Sequence, residues 1–139
     1  MNMCYGNKGE TEKYEALLLL FQESVEASPD YRIGILPGVG YIAVIGKSLP
    51  DEEDGERAAV HLHIDRVMRT PLEMAEELLG NWRWQWYYSH PGCVDVEGYD
   101  TIMRLDQDMP EKCRETYFPE LNNYRRKAGE IVGVDWENL

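Results

Sequence analysis

Cysteine is scarce in this 139-residue chain, and its pattern argues against two classes of small protein. The three residues, Cys4, Cys93 and Cys113, form an odd count without a C-x-x-C pair. A disulfide framework and a zinc knuckle both need paired cysteines, so we expect neither. Unpaired thiols suit a reducing compartment, and the sequence therefore predicts a cytoplasmic protein.

A long apolar run is also absent. The longest, from Ala16 to Phe21, is far shorter than the roughly 18 residues that suggest a membrane-spanning helix. No signal-peptide pattern opens the chain. We therefore expect no membrane partner.

Basic residues are few, since 14 Lys and Arg stand against 26 Asp and Glu, and the formal net charge is -12. Phosphate backbones and anionic lipids would be repelled at long range, which argues against nucleic acid as a partner. The acidic surface suits a basic protein partner, although solubility explains the same charge. The densest acidic cluster, formed by Asp51, Glu52, Glu53 and Asp54, lies in a loop predicted over residues 48–57. Its residues do not have the spacing of a calcium-binding loop.

The length fits one domain with a core of its own. Residues 1–10 carry no periodicity and are predicted to be a flexible lead-in, and residues 11–139 form the single domain. Apolar residues at helical spacing predict an amphipathic helix from Thr11 to Ser28. Two runs rich in Ile, Val and Tyr, Tyr31 to Leu36 and Tyr41 to Ile45, flank a Pro-Gly turn and predict an antiparallel hairpin.

The stretch from Ala58 to Tyr88 predicts a strand, a short helix and a second strand. Alternating apolar residues around Ile64 indicate the first strand. Thr70 has the position of a helix N-cap, and Gly80 has that of a C-cap. The second strand is indicated by aromatic residues two apart, at Trp82, Trp84, Trp86 and Tyr88.

The C-terminal part predicts a weak strand and a closing helix. Alternation between residues 94 and 104 is broken by Gly98, and Asp108 with Glu111 has the pattern of a capping box. The helix that follows contains Pro119, which should kink or divide it. We therefore expect an α+β fold with a mainly antiparallel sheet of four or five strands and helices on one face of the sheet. The expected helices are an N-terminal helix, a short middle helix and a Pro-kinked C-terminal helix.

One group of residues has the pattern of a metal site. His61, His63 and Asp65 project from the same side of the first predicted strand, and His90 is a candidate fourth ligand. Two imidazoles and a carboxylate suit zinc or iron and leave open positions for water or substrate. The alternative is that these side chains are merely the exposed face of an amphipathic strand.

The aromatic row is a candidate recognition surface, because Trp and Tyr often dominate binding. The alternative is that the tryptophans form the core of the sheet, and then Arg83, Gln85 and Tyr87 face outward as the contact residues. Cys93 lies in a turn near His90, and we weigh a reactive thiol there against an idle one.

No complete catalytic set is present, so we expect that this is not an enzyme. Our leading hypothesis is a small acidic protein that binds a macromolecular protein partner, as an inhibitor or a nucleic-acid mimic would. The second is a metal-dependent enzyme that uses the histidine pair. The third is a small-ligand-binding domain with its pocket between the sheet and the first helix.

Overall fold

The computed structural model describes residues 8–28, 31–36, 40–45, 63–135 and 137, and it is an α+β single domain. This part of the chain contains five helices and one three-stranded antiparallel sheet. In chain order the elements are α1 Lys8–Leu20, α2 Gln22–Glu26, β1 Tyr31–Leu36, β2 Gly40–Ile45, β3 His63–Met68, α3 Pro71–Ser89, α4 Ile102–Asp108 and α5 Glu111–Val132. The lead-in up to residue 7, the acidic loop over residues 48–57 and His61 lie outside the described residues.

The sheet has the order β1-β2-β3, so the expectation of four or five strands is wrong. The predicted hairpin is confirmed, because β1 and β2 pair antiparallel from Tyr31 opposite Ile45 to Leu36 opposite Gly40. The strand β3 then pairs with β2, with a register shift at Ala43. The two further strands expected near residues 82–88 and 94–104 are absent from the described chain, where helices and a loop take their place.

The helix α3 overturns the prediction of a strand after Gly80. Its start is as predicted, since the Thr70 hydroxyl oxygen accepts a hydrogen bond from the Glu73 amide at 3.1 Å. Gly80 does not end it: the residue lies inside the helix, where its cost of about 1 kcal/mol relative to Ala is small beside the apolar contacts on both sides. The buried residues of α3 recur at the three- and four-residue spacing of a helix, not at the two-residue spacing of a strand. They include Ala75, Leu78, Leu79, Trp82 and Trp86.

The N-terminal helix is divided in two at Phe21. Its predicted inward face is confirmed, because Tyr14, Leu17 and Phe21 are buried. The polypeptide leaves helical geometry at Phe21, with φ -102° and ψ 14°, and resumes it in α2. This break separates α1 from α2 without changing which residues enter the core.

The C-terminal helix α5 runs as one element through Pro119, which does not divide it. It ends at Gly133, which has φ +78° and donates a hydrogen bond from its amide to the Gly129 carbonyl at 2.8 Å. Only glycine adopts that left-handed geometry without strain, which explains the end of the helix there. The expected capping box is not formed, because α5 begins after Pro110 with no side-chain cap, and Asp108 accepts a hydrogen bond from Tyr99 instead.

Cys93 and Cys113 form a disulfide, which the odd count and the missing C-x-x-C pair did not predict. The bond joins the loop after α3 to the first turn of α5, across 20 residues of sequence. An odd cysteine count excludes complete pairing but permits one pair, and this is where the inference from the count failed. The argument from cysteine usage for a reducing compartment therefore loses its basis.

The core lies where α1, α3 and α5 meet, and α3 also packs against β3. Tyr31, Ile33, Tyr41, Ala43 and Met68 contribute from the sheet to the same core. None of the helices in the described ranges has the length and apolar character that a membrane crossing needs.

Candidate functional site

A surface recess of about 480 Å³ lies between the C-terminal half of α3 and the loop that follows it. Its lining consists of Trp84, Tyr88, Val96, Glu97, Gly98 and Tyr99. Three of these six residues are aromatic and one is a carboxylate, so the recess presents ring faces and negative charge together.

Two of the aromatic rings belong to α3. Trp84 and Tyr88 are four residues apart and so lie on the same face of the helix, with ring centroids 6.3 Å apart and planes inclined by 32°. Trp84 is partly buried and packs against the core, whereas Tyr88 is 61% exposed. An exposed ring fixed beside a packed one is available for contact with another molecule.

The opposite wall is a tight turn. The Tyr99 amide donates a hydrogen bond to the Val96 carbonyl at 3.0 Å, and Gly98 within this turn has φ +104°, a value that side-chain-bearing residues rarely adopt. The Tyr99 hydroxyl donates to a carboxylate oxygen of Asp108 at 2.7 Å, which ties the turn to the end of α4. This hydrogen bond raises the pKa of Tyr99, so its phenol stays neutral at physiological pH.

The segment that supplies one wall of the recess is acidic. Residues 89–110 contain five carboxylates and a single cation, Arg104. The four of those carboxylates that are exposed are Asp95, Glu97, Asp100 and Asp108. We call these four residues, with Trp84, Tyr88 and Tyr99, the acidic aromatic face.

The remaining carboxylate, Asp106, belongs to a polar network beneath this face. Asp106 pairs with Arg83 and accepts a hydrogen bond from the Tyr87 hydroxyl, and Arg83 also donates to the Tyr117 hydroxyl at 2.9 Å. The network joins α3, α4 and α5, and the side chains of Arg83 and Asp106 are only 24% and 16% exposed. Burial raises the pKa of Tyr117 to about 12 and also raises that of Tyr87, so both phenols are neutral donors and acceptors.

These buried phenols predict a loss of stability at alkaline pH. Burial also raises the pKa of Tyr14 to about 12, and its hydroxyl has no hydrogen-bond partner among the described residues. Between pH 10 and about 12 the unfolded chain releases these protons and the folded chain keeps them, so the free energy of unfolding falls as pH rises. We expect little change between pH 9 and 10 and, above pH 10, a fall of at most about 1.4 kcal/mol per pH unit for each such phenol, measured by urea unfolding at pH 9, 10 and 11.

The variant Tyr14→Phe provides the internal comparison for that titration. It removes one of these phenols and should make the decline above pH 10 shallower by up to about 1.4 kcal/mol per pH unit. A free energy of unfolding that is flat from pH 10 to pH 11 in the unsubstituted protein would contradict the prediction.

The structure does not place the predicted contact residues on one outward face. Tyr87 is fully buried and Arg83 is held in the network, because a helix does not alternate its side chains as a strand does. Gln85 lines a separate, narrower groove of about 200 Å³ between α2, α3 and α5, beside Trp82 and Trp86. The cluster from Asp51 to Asp54 lies outside the described residues, so a binding role for it stays a prediction.

The structure describes only part of the predicted metal site. His63 and Asp65 lie on β3, and His61 is outside the described residues. His90 follows α3, where its Nδ1 donates to the Trp86 carbonyl at 2.7 Å and its ring stacks on that indole at 3.8 Å. Within the described ranges no group of three or more His, Cys, Asp or Glu residues is placed to hold a metal ion. The zinc or iron hypothesis depends on His61 and stays a prediction.

Two other sequence hypotheses have different outcomes. The reactive-thiol reading of Cys93 is wrong, because its sulfur is bonded to Cys113. In the region expected to hold a ligand pocket, between the first helix and the sheet, the ring of Tyr14 packs against that of Tyr41 with centroids 4.3 Å apart. A ligand pocket at that position stays a prediction.

Sequence reasoning missed the contribution of Glu97 and Tyr99 to the recess. The four-residue spacing of Trp84 and Tyr88 was a usable signal, but it was assigned to a strand. The chemistry of the recess has to be argued from its own residues, since no protein-family model, curated protein or solved structure matches this chain.

Proposed function

We propose that this protein acts by binding a basic protein partner through the acidic aromatic face. The observation that carries the proposal is the exposed Tyr88, which lies beside Trp84 in a recess that Glu97 also lines. Exposed aromatic rings provide contact area at low entropic cost, and Tyr and Trp are enriched among residues that dominate protein interfaces. Carboxylates around them steer a basic partner toward the face and repel an acidic one.

The acidic residues in the loop beside the recess support this face, in addition to the net charge of the whole chain. The net charge of -12 attracts any basic molecule, but it does not favour one side of the protein. Asp95, Glu97 and Asp100 lie in the loop that forms the recess wall, and Arg104 is the one cation in the surrounding segment 89–110. Covering a basic surface in this way is what an inhibitor or a nucleic-acid mimic does, and we propose that mode of action.

The cytoplasmic location expected from the sequence stays a prediction. It was inferred from cysteine usage and from the lack of a long apolar run. The Cys93–Cys113 disulfide removes the first of these reasons and suits an oxidising compartment.

The proposal is tested with a lysine-rich peptide and two double variants of equal charge. Glu97→Gln with Asp100→Asn removes two charges from the face, and Glu12→Gln with Glu15→Gln removes two exposed charges from α1. We expect the first variant to bind the peptide about fivefold more weakly than the unsubstituted protein, with most of the loss in the association rate. Isothermal titration calorimetry and stopped-flow fluorescence at low and at physiological salt measure the two effects.

The α1 variant should keep its affinity within about twofold, because its charges lie outside the lining of the recess and are largely screened at physiological salt. Equal losses in the two variants would mean that the peptide responds only to total charge. That result would remove the acidic aromatic face as the binding surface.

A further inference from the structure

Three aromatic side chains line the recess, and such side chains attract cations. A cation is attracted to the face of an aromatic ring when it lies within about 6 Å of the ring centre. The centroids of Trp84 and Tyr88 are 6.3 Å apart, so a cation in contact with one ring also lies close to the other. Tyr99 lines the recess from the facing turn and supplies a third ring.

The charge of the lining fits the same ligand. Among the six lining residues the only ionisable side chain that carries charge at neutral pH is Glu97. The hydroxyl of Tyr99 already donates to Asp108, which directs that hydrogen away from a bound ligand. A positive group would therefore meet one carboxylate and aromatic rings in the lining, and Arg104, which interacts electrostatically with Tyr99, is a cation near that wall.

The chemistry of the lining favours an alkylated ammonium over a primary one. A lysine ammonium carries three N–H donors, and each loses a hydrogen bond to water when the group enters the recess. Among the lining side chains only Glu97 offers a charged acceptor in exchange. A trimethylammonium group has no N–H donor, and its methyl groups pack against apolar surface such as Val96 and the indole of Trp84. Its positive charge still interacts with the rings and with Glu97.

The recess is held in shape by the surrounding structure. Trp84 is anchored in the core, the turn that carries Glu97 is closed by a backbone hydrogen bond, and Tyr99 is fixed by Asp108. The disulfide at Cys93 fastens the start of the same loop. A preorganised site avoids the entropic cost of ordering its walls when the ligand enters.

We propose that the recess formed by Trp84, Tyr88, Tyr99 and Glu97 binds a quaternary ammonium group, carried by a trimethylated lysine of the protein partner. The inference rests on the proposed function, because the lysine belongs to the basic partner that the acidic aromatic face binds. It goes further by naming the side chain that enters and the contacts that select it.

The test compares two peptides of the same lysine-rich sequence, with the central lysine either unmodified or trimethylated. We expect trimethylation to tighten binding about tenfold, as two or three ring contacts of this kind would. A second pair of probes, choline and its uncharged carbon analogue 3,3-dimethylbutan-1-ol, separates charge from shape, and only choline should bind. Calorimetry gives the affinities, and nuclear magnetic resonance shifts of the Gly98 amide and the Trp84 indole N–H locate the site.

Matched variants at Tyr88 examine the role of the ring without disturbing the fold, because this side chain is largely exposed. Tyr88→Phe keeps the ring and should bind the trimethylated peptide within about twofold of the unsubstituted protein. Tyr88→Leu keeps an apolar side chain but has no π face, and it should lose most of the gain from trimethylation. Circular dichroism confirms that both variants remain folded.

The outcomes separate this inference from the proposed function. If the unmodified peptide binds through Glu97 and Asp100 but trimethylation adds nothing, the inference is wrong and the proposed function stands. If neither peptide binds, the proposed function fails together with the inference. Equal binding of choline and its uncharged analogue, or an unchanged gain in Tyr88→Leu, would also overturn the quaternary ammonium site.

Discussion

Replacing Asp106 with alanine is expected to lower the free energy of unfolding by about 3 to 5 kcal/mol, which is the cost of removing one partner from a largely buried ion pair. Asp106 is the shared acceptor of the network, since it pairs with Arg83 and also accepts from Tyr87. Its loss leaves the Arg83 charge without its carboxylate and the buried Tyr87 hydroxyl without its acceptor. Urea or thermal unfolding followed by circular dichroism measures the change.

The exposed ion pair between Arg66 and Glu76 is the matched comparison. It also joins two elements of the fold, but its side chains are 36% and 45% exposed, and its N–O distance is 3.2 Å. Water and salt screen such a pair, so Glu76→Ala should cost about 1 kcal/mol or less. Similar costs for Asp106→Ala and Glu76→Ala would mean that the network is not a principal link between α3, α4 and α5.

The sequence was sufficient to predict the elements whose signals are local. The hairpin from Tyr31 to Ile45 was predicted because strand-forming residues and turn residues agree there. The start of α3 was predicted because Thr70 and Glu73 form a cap within four residues. In both cases the energetic preference resides in a few neighbouring residues, so tertiary contacts did not change it.

The misassigned stretch from Trp82 to Tyr88 shows what local patterns do not determine. Residues two apart satisfy strand alternation, yet Trp82 and Trp86 are also four apart and continue the buried stripe of Leu78 on a helix. The spacing of a strand and the spacing of a helix both fit this stretch of sequence, and its packing partners decide which of the two forms. In the structure Trp82 packs on Tyr117 and Tyr124 of α5, contacts that a sequence pattern within residues 82–88 does not reveal.

The candidate site was predictable only in part for the same reason. The aromatic row was identified as a recognition surface, but the correct members depend on which ring faces the core. Trp82 and Trp86 are buried, whereas Tyr88 is exposed and Trp84 lines the recess. Glu97 and Tyr99 join the site through a turn and a disulfide, and the pairing of Cys93 with Cys113 is a long-range choice that spacing alone does not make.

Loss of the disulfide is expected to lower the free energy of unfolding by about 3 kcal/mol, because the bond closes a loop of about 20 residues and restricts the unfolded chain. The double variant Cys93→Ser with Cys113→Ser should show this loss in urea unfolding, and Cys4→Ser should not. Under denaturing, non-reducing conditions a thiol titration should find one free thiol of the three cysteines. Three free thiols in the purified protein would contradict the pairing.

The same bond should also support the recess, and this consequence can be measured separately from stability. Cys93 precedes by three residues the turn from Val96 to Tyr99 that forms one wall. Without the bond, that wall must be ordered each time a ligand enters, at a cost of roughly 1 kcal/mol for each backbone residue that has become mobile. We therefore expect the folded serine double variant to bind choline at least fivefold more weakly than the Cys4→Ser protein, at a temperature well below either unfolding transition. Equal affinities would mean that the Tyr99–Asp108 hydrogen bond and the packing of Val96 hold the turn in place without the disulfide.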